Sequence, residues 1–148
     1  ASSPAESGGI GRVAQTWLIQ PRGAWTVRCV GTVGVSSPVP GMVVLGVTYP
    51  DSRLIELDQD FSDATVEWVM HHELGHAFSI DNLTDRQRTY FAALPGLNKA
   101  DFWDDSDYWT MPAEAWANTQ AKCVGLKPLD NRLTLSCDTL AATQAYSG

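Results

Sequence analysis

Two histidines and a glutamate stand at the spacing that zinc-dependent hydrolysis uses. His72-Glu73-Leu74-Gly75-His76 reads H-E-x-x-H. On an α-helix, residues four apart project from one face about a turn apart, so both imidazoles can converge on one ion, with Zn–N distances of roughly 2.0–2.1 Å. Glu73, one position on, is aimed at the water. Zinc lowers the pKa of a water bound to it to about 7, and a neighbouring carboxylate can take the proton and later deliver it to the leaving amine. All three histidines of the chain fall within residues 71–76. His71 is one residue out of phase with the His72/His76 face and is expected to pack, or to support that face from behind. Gly75 costs about 1 kcal/mol against Ala in a helix interior, so its presence there implies close backbone packing.

A catalytic zinc site has three protein ligands and one open position, and no histidine remains to be the third. The metzincin pattern H-E-x-x-H-x-x-G-x-x-H is excluded, because Ser79 stands where it needs Gly and Asn82 where it needs His. Peptide deformylases pair the motif with a cysteine, but Val27-Arg28-Cys29-Val30-Gly31 does not resemble their upstream sequence. A carboxylate is therefore expected. Glu114, in Met111-Pro112-Ala113-Glu114-Ala115-Trp116-Ala117-Asn118, opens a helix from which an inward carboxylate could reach a metal. Its bland alternative is a first-turn acid favoured by the helix dipole. Asp81, five residues after His76 and just past the expected helix end, is the rival; otherwise it is a turn or cap residue. Glu114 ranks ahead of Asp81.

These residues need elements to hold them. Trp17–Gln20, Trp25–Val35, Met42–Thr48 and Arg53–Leu57 carry the β-branched and aromatic enrichment of strands, the last two spaced as a hairpin. Arg53–Leu57 alternates charged and apolar residues, as near a sheet edge. From Ser62 or Asp63 the apolar positions Val66, Val69, Met70, Leu74, Ala77 and Phe78 recur at threes and fours, predicting a helix to about Ser79. Asn82 or Thr84 caps a second helix, Asp85–Leu94, ended by Pro95-Gly96, and Pro112 opens a third to about Cys123. The fold class is α+β: a small twisted, mostly antiparallel sheet packed on the H-E-x-x-H helix, followed by further helices. Residues 1–11 read as a flexible tail and 12–148 as a single domain without internal repeats.

The 148 residues, 44% of them hydrophobic, suffice for one core. A net charge of -7, with 10 basic against 17 acidic residues, opposes binding to a nucleic-acid backbone. The longest apolar run, Gly41–Val47, is far short of the roughly 20 residues that cross a bilayer. The opening ASSPAESGG reads like a processed end, and few basic residues with six Trp and three Cys lean towards a secreted or extracytoplasmic protein. Cys123 and Cys137 are expected to bridge around a turn at residues 128–131, leaving Cys29 as a buried thiol. The aspartates Asp101, Asp104, Asp105 and Asp107 lack the EF-hand order and read as a solvated loop rather than a Ca²⁺ site.

The pairing of His72-Glu73-Leu74-Gly75-His76 with a later helix bearing Glu114-Ala-Trp-Ala-Asn118 resembles the gluzincin zinc metallopeptidases, most closely the small single-domain minigluzincins. The resemblance covers two short motifs and their helix–loop–helix order rather than the whole chain. It implies Zn²⁺ held by His72, His76 and Glu114, with Glu73 as general base and acid. It implies an edge strand above the site, Arg53–Leu57 or Met42–Thr48, that pairs with extended substrate. Where many gluzincins carry an acid four after the ligand glutamate to orient an imidazole, this chain has Asn118, whose amide oxygen can still accept a hydrogen bond. Such peptidases also carry a donor for the oxyanion of the tetrahedral intermediate; Tyr108 is the choice here and Tyr90 the alternative. The expected protein is thus a monomeric zinc endopeptidase acting on peptides or proteins. Its alternatives are an inactive zinc-binding descendant that binds peptides, a zinc amide hydrolase on a non-protein substrate, and a structural zinc domain.

Overall fold

β-Branched and aromatic residues place three short strands early in the chain: β1 (Thr26–Val30), β2 (Gly46–Tyr49) and β3 (Leu54–Asp58). The computed structural model describes residues 24–31, 33, 37, 39–127 and 132–148. The tail 1–11, the strand at Trp17–Gln20 and the turn at 128–131 lie outside them. β2 and β3 form the expected hairpin, antiparallel with Gly46 opposite Leu57 and Tyr49 opposite Leu54. The sheet order is β1-β3-β2, and β1 runs parallel to β3, with Thr26 opposite Leu54 and Val30 opposite Asp58.

The sheet is therefore mixed rather than mostly antiparallel, and Arg53–Leu57 is no edge. β3 is the central strand, and its alternation reflects two differently satisfied faces. Ile55 and Leu57 enter the core, while Glu56 meets cross-strand partners: the Tyr49 hydroxyl donates to it over 3.0 Å and Arg28 lies 3.8 Å away. A charged residue can sit mid-sheet when strands on both sides supply partners for it.

The long helix α1 spans Asp63–Asn82, its first turn capped by the Ser62 hydroxyl, which accepts from the Thr65 N–H. It continues three residues beyond Ser79, so Asp81 lies in its last turn rather than past its end. Every residue from Trp68 to Gly75 is buried, because α1 is the middle layer. Val66, Val69, Met70 and Leu74 pack with Ile55 and Leu57 of the sheet, and Phe78 packs with the helices on the other side.

α2 (Asp85–Ala92) starts at Thr84 with a reciprocal capping box to Gln87. A 3₁₀ turn at Tyr108–Thr110 leads into α3 (Pro112–Cys123), with Pro at its first position as expected. A helix absent from the sequence reading, α4 (Cys137–Ala145), follows the Ser136 cap. The Cys123–Cys137 disulfide is present and joins the end of α3 to the start of α4; Cys29, half-buried on β1, takes no part in it. The described residues thus form an α+β fold of a three-stranded mixed sheet and four helices. None of those helices is long and apolar enough to cross a membrane.

Candidate metal centre

The middle of α1 and the first half of α3 meet at two small residues, Gly75 and Ala117. A Cβ added at Gly75 would stand 2.9 Å from the Ala117 Cα and 3.3 Å from its Cβ. The glycine therefore does what its cost in helix propensity implied, letting two helix backbones touch.

That crossing brings three side chains together. His72 Nε2 lies 3.1 Å from Glu114 Oε1, and His76 Nε2 lies 2.8 Å from Glu114 Oε2. One ligand atom from each of the three residues falls within a common 4.8 Å. His72 is buried, while His76 and Glu114 are half-buried and open on a cleft of about 340 Å³. Burial alone would pull His76 below its ordinary value, but the Glu114 carboxylate outweighs it and raises the imidazole to about 9. Burial pushes Glu114 up, and the His76 and His72 rings more than reverse this, holding it well below the usual carboxylate range. Two imidazoles facing one ionised carboxylate are a donor set of the kind that holds zinc and other divalent ions. These residues fit a metal.

The hydrogen bond expected between Asn118 and a ligand imidazole is not formed. His72 Nδ1 and Asn118 Oδ1 are both buried without a hydrogen-bond partner among the described residues. The Asn118 amide nitrogen donates to the Leu133 carbonyl over 3.2 Å, which identifies the unpartnered atom as the oxygen. Trp68 stacks on the His72 ring at 4.9 Å and supports it from the side.

Glu73 is buried beside this set, its Oε2 3.9 Å from His72 Nε2. β2 clamps it. The Thr48 hydroxyl reaches the Glu73 carboxylate at 2.9 Å and its backbone carbonyl at 3.1 Å. Two residues along, on the same face of the strand, Gly46 has no room for a side chain: a Cβ there would meet Val69 Cγ1 at 2.5 Å and Glu73 Oε2 at 3.2 Å. Neither Thr48 nor Gly46 carries a sequence signal that marks it as a site residue.

Tyr108 reaches the cluster and Tyr90 does not. The Tyr108 hydroxyl donates to Glu114 Oε1 over 3.1 Å and accepts from Arg132 Nη1 over 3.1 Å. Burial first, then the Glu114 charge, raise its pKa, with Arg132 opposing. Tyr90 stacks on Tyr146 at 4.4 Å and takes no part in lining the cleft. Asp81 is engaged elsewhere: Arg53 donates to it over 2.6 and 3.0 Å, and the Trp25 indole over 2.8 Å. His71 is buried outside the converging set, and burial lowers it to about 4. In the acidic loop, Asp101, Asp104 and Asp107 each accept a backbone N–H two residues on, while Asp105 lines the cleft. Arg132 is a cleft residue the sequence reading missed; it sits inside the Cys123–Cys137 loop with no motif around it.

No protein-family model, curated protein or solved structure matches the chain.

Proposed function

We propose that the protein is a zinc metallopeptidase of gluzincin type, similar to the minigluzincins, that cleaves internal peptide bonds. The observation that carries this reading is the convergence of His72, His76 and Glu114 within 4.8 Å on one side of a cleft whose wall holds Glu73. Bound there, zinc supplies Lewis-acid polarisation and an acidified water.

The chain's own groups do the rest. Glu73, aligned by Thr48, takes up a proton at its carboxylate and gives it back to the departing amine. Tyr108 offers its hydroxyl to the oxygen on which charge develops, and Arg132 backs that hydroxyl. Extended substrate pairs with β2, which is an edge of the sheet among the described residues and lines the cleft through Gly46, Val47 and Thr48. Of the two strands that could serve, only β2 has a free side among the described residues, because β3 is paired on both. The disulfide supports an extracytoplasmic setting.

The test is zinc per chain by native mass spectrometry on wild type, Glu114→Ala and Asp81→Ala, with hydrolysis of a peptide library followed in parallel. One zinc, lost with Glu114→Ala and kept with Asp81→Ala, is expected, together with cleavage that Glu73→Gln abolishes without loss of zinc. A wild type that takes up no zinc after reconstitution sinks the reading.

A further inference from the structure

Arg132 is the one lysine or arginine among the described residues that line the cleft. Its guanidinium is held in place: Cζ stands 5.3 Å over the Trp68 ring and 5.9 Å from the Tyr108 ring, and Nη1 donates to the Tyr108 hydroxyl. The opposite edge is unsatisfied. Nε is buried with no partner among the described residues, and Nη2 faces only the Met42 sulfur at 3.9 Å. Arg28, Arg53 and Arg88 each have a carboxylate within 4.0 Å, whereas Arg132 has none among the described residues.

The Nε–H and Nη2–H of a guanidinium point in parallel along one edge, which is the geometry that grips two carboxylate oxygens at once. Here that edge is covered by a thioether, a weak acceptor on a flexible, unbranched side chain. Met42 belongs to the irregular segment just before β2, so it can swing aside without breaking sheet pairing. Trp68 touches both Arg132 and His72, which puts the edge one aromatic ring from the metal centre. The chain's charge of -7 acts on an incoming anion only through a screening length of about 8 Å. Inside the cleft Arg132 is the fixed cation among the described lining residues, set against Glu73, Asp105 and Glu114.

We propose that Arg132 is the anion-recognising residue of this cleft, and that the favoured ligand is a peptide bearing a carboxylate, from an acidic side chain or a free C-terminus, which displaces Met42 and pairs with the Nε/Nη2 edge. This deepens the peptidase reading and rests on it.

Binding without turnover tests it. Zinc-loaded Glu73→Gln protein is titrated calorimetrically with one N-acetylated apolar tetrapeptide in four versions, carrying Glu or Gln beside a central Leu and a free or amidated C-terminus. A carboxylate is expected to tighten binding at least tenfold over the uncharged version, and the version that gains most identifies its source. Adding Arg132→Met removes the gain. Met42→Glu, which supplies a carboxylate to the same edge from within, also removes it, and serves should Arg132→Met not fold. Equal binding of all four peptides, binding of none, or a gain that survives these changes overturns the proposal. Hydrolysis by the wild type keeps the two ideas apart. Turnover with no carboxylate preference sinks the Arg132 assignment alone, and a preference in binding without any turnover sinks the peptidase reading alone.

Discussion

Gly75 on α1 lies against Ala117 on α3 so closely that a methyl group on the glycine would stand 2.9 Å from the alanine Cα. This contact sets the separation between the helix that bears both histidines and the helix that bears Glu114. Gly75→Ala gains about 1 kcal/mol of helix propensity and costs about 1–3 kcal/mol of overpacking. Because the neighbouring atoms are backbone, which cannot rotate away, overpacking wins. The expected result is a net destabilisation of up to about 2 kcal/mol in denaturant unfolding of the metal-free protein, with metal affinity down at least tenfold in a chelator competition. An unchanged affinity would show that the crossing does not set the site.

Thr48 holds Glu73 by a single hydroxyl, so shape and hydrogen bond can be separated. Thr48→Val keeps the shape and Thr48→Ser keeps the hydroxyl. Misplacing a reacting group by an ångström can cost about 10²-fold in rate, and we expect Thr48→Val to lose about 10–100-fold in kcat with zinc content intact. Thr48→Ser should recover most of it. Equal activity of the two variants would rule out the clamp.

His76 is raised to about 9 by Glu114 in the metal-free protein, so an incoming ion must expel a proton from it. Metal affinity should rise about tenfold per pH unit between roughly pH 6 and 8, with about one proton released per ion; Glu114, already ionised, releases none. The sign for stability is opposite. A folded value above the unfolded 6.5 stabilises the metal-free fold fully below that pH, and the contribution is lost as pH rises through about 9. Chelator competition and thermal unfolding across that range check both slopes.

Asp81 is expected to be structural. Asp81→Asn weakens the pair with Arg53, which lies at the turn into β3 in a left-handed conformation at φ 52°. A loss of stability is expected in urea unfolding, kept small because Arg53 is 39% exposed and solvent screens the pair. Zinc uptake by mass spectrometry should not change.

The Cys123–Cys137 bridge closes the loop that delivers Arg132. Replacing both cysteines with serine should cost about 3 kcal/mol by the loop-entropy estimate, read from urea midpoints. His72, His76 and Glu114 all lie outside that loop, so zinc content should be retained.

Local pattern sufficed for the parts of this protein that local physics controls. The three-and-four spacing from Val66 to Phe78, the cap at Ser62, the proline opening α3 and the four-residue interval between His72 and His76 are all short-range, and they appear in α1 and α3 as read. Even the helix contact was legible, because an unfavourable Gly75 needs a partner to justify it. What pattern could not supply was anything set by a neighbour distant in sequence. Alternation in β3 reads the same whether a strand lies at an edge or between two others, so only the parallel pairing with β1 reveals it as central. Sequence ranks Glu114 ahead of Asp81 without excluding either; the helix crossing takes one to the histidines and Arg53 holds the other. Thr48, Gly46 and Arg132 have no motif at all, because their roles come from which strand or loop the chain lays against Glu73 and Trp68. Spacing along one helix is a property of the sequence, and proximity between elements is a property of the packed core.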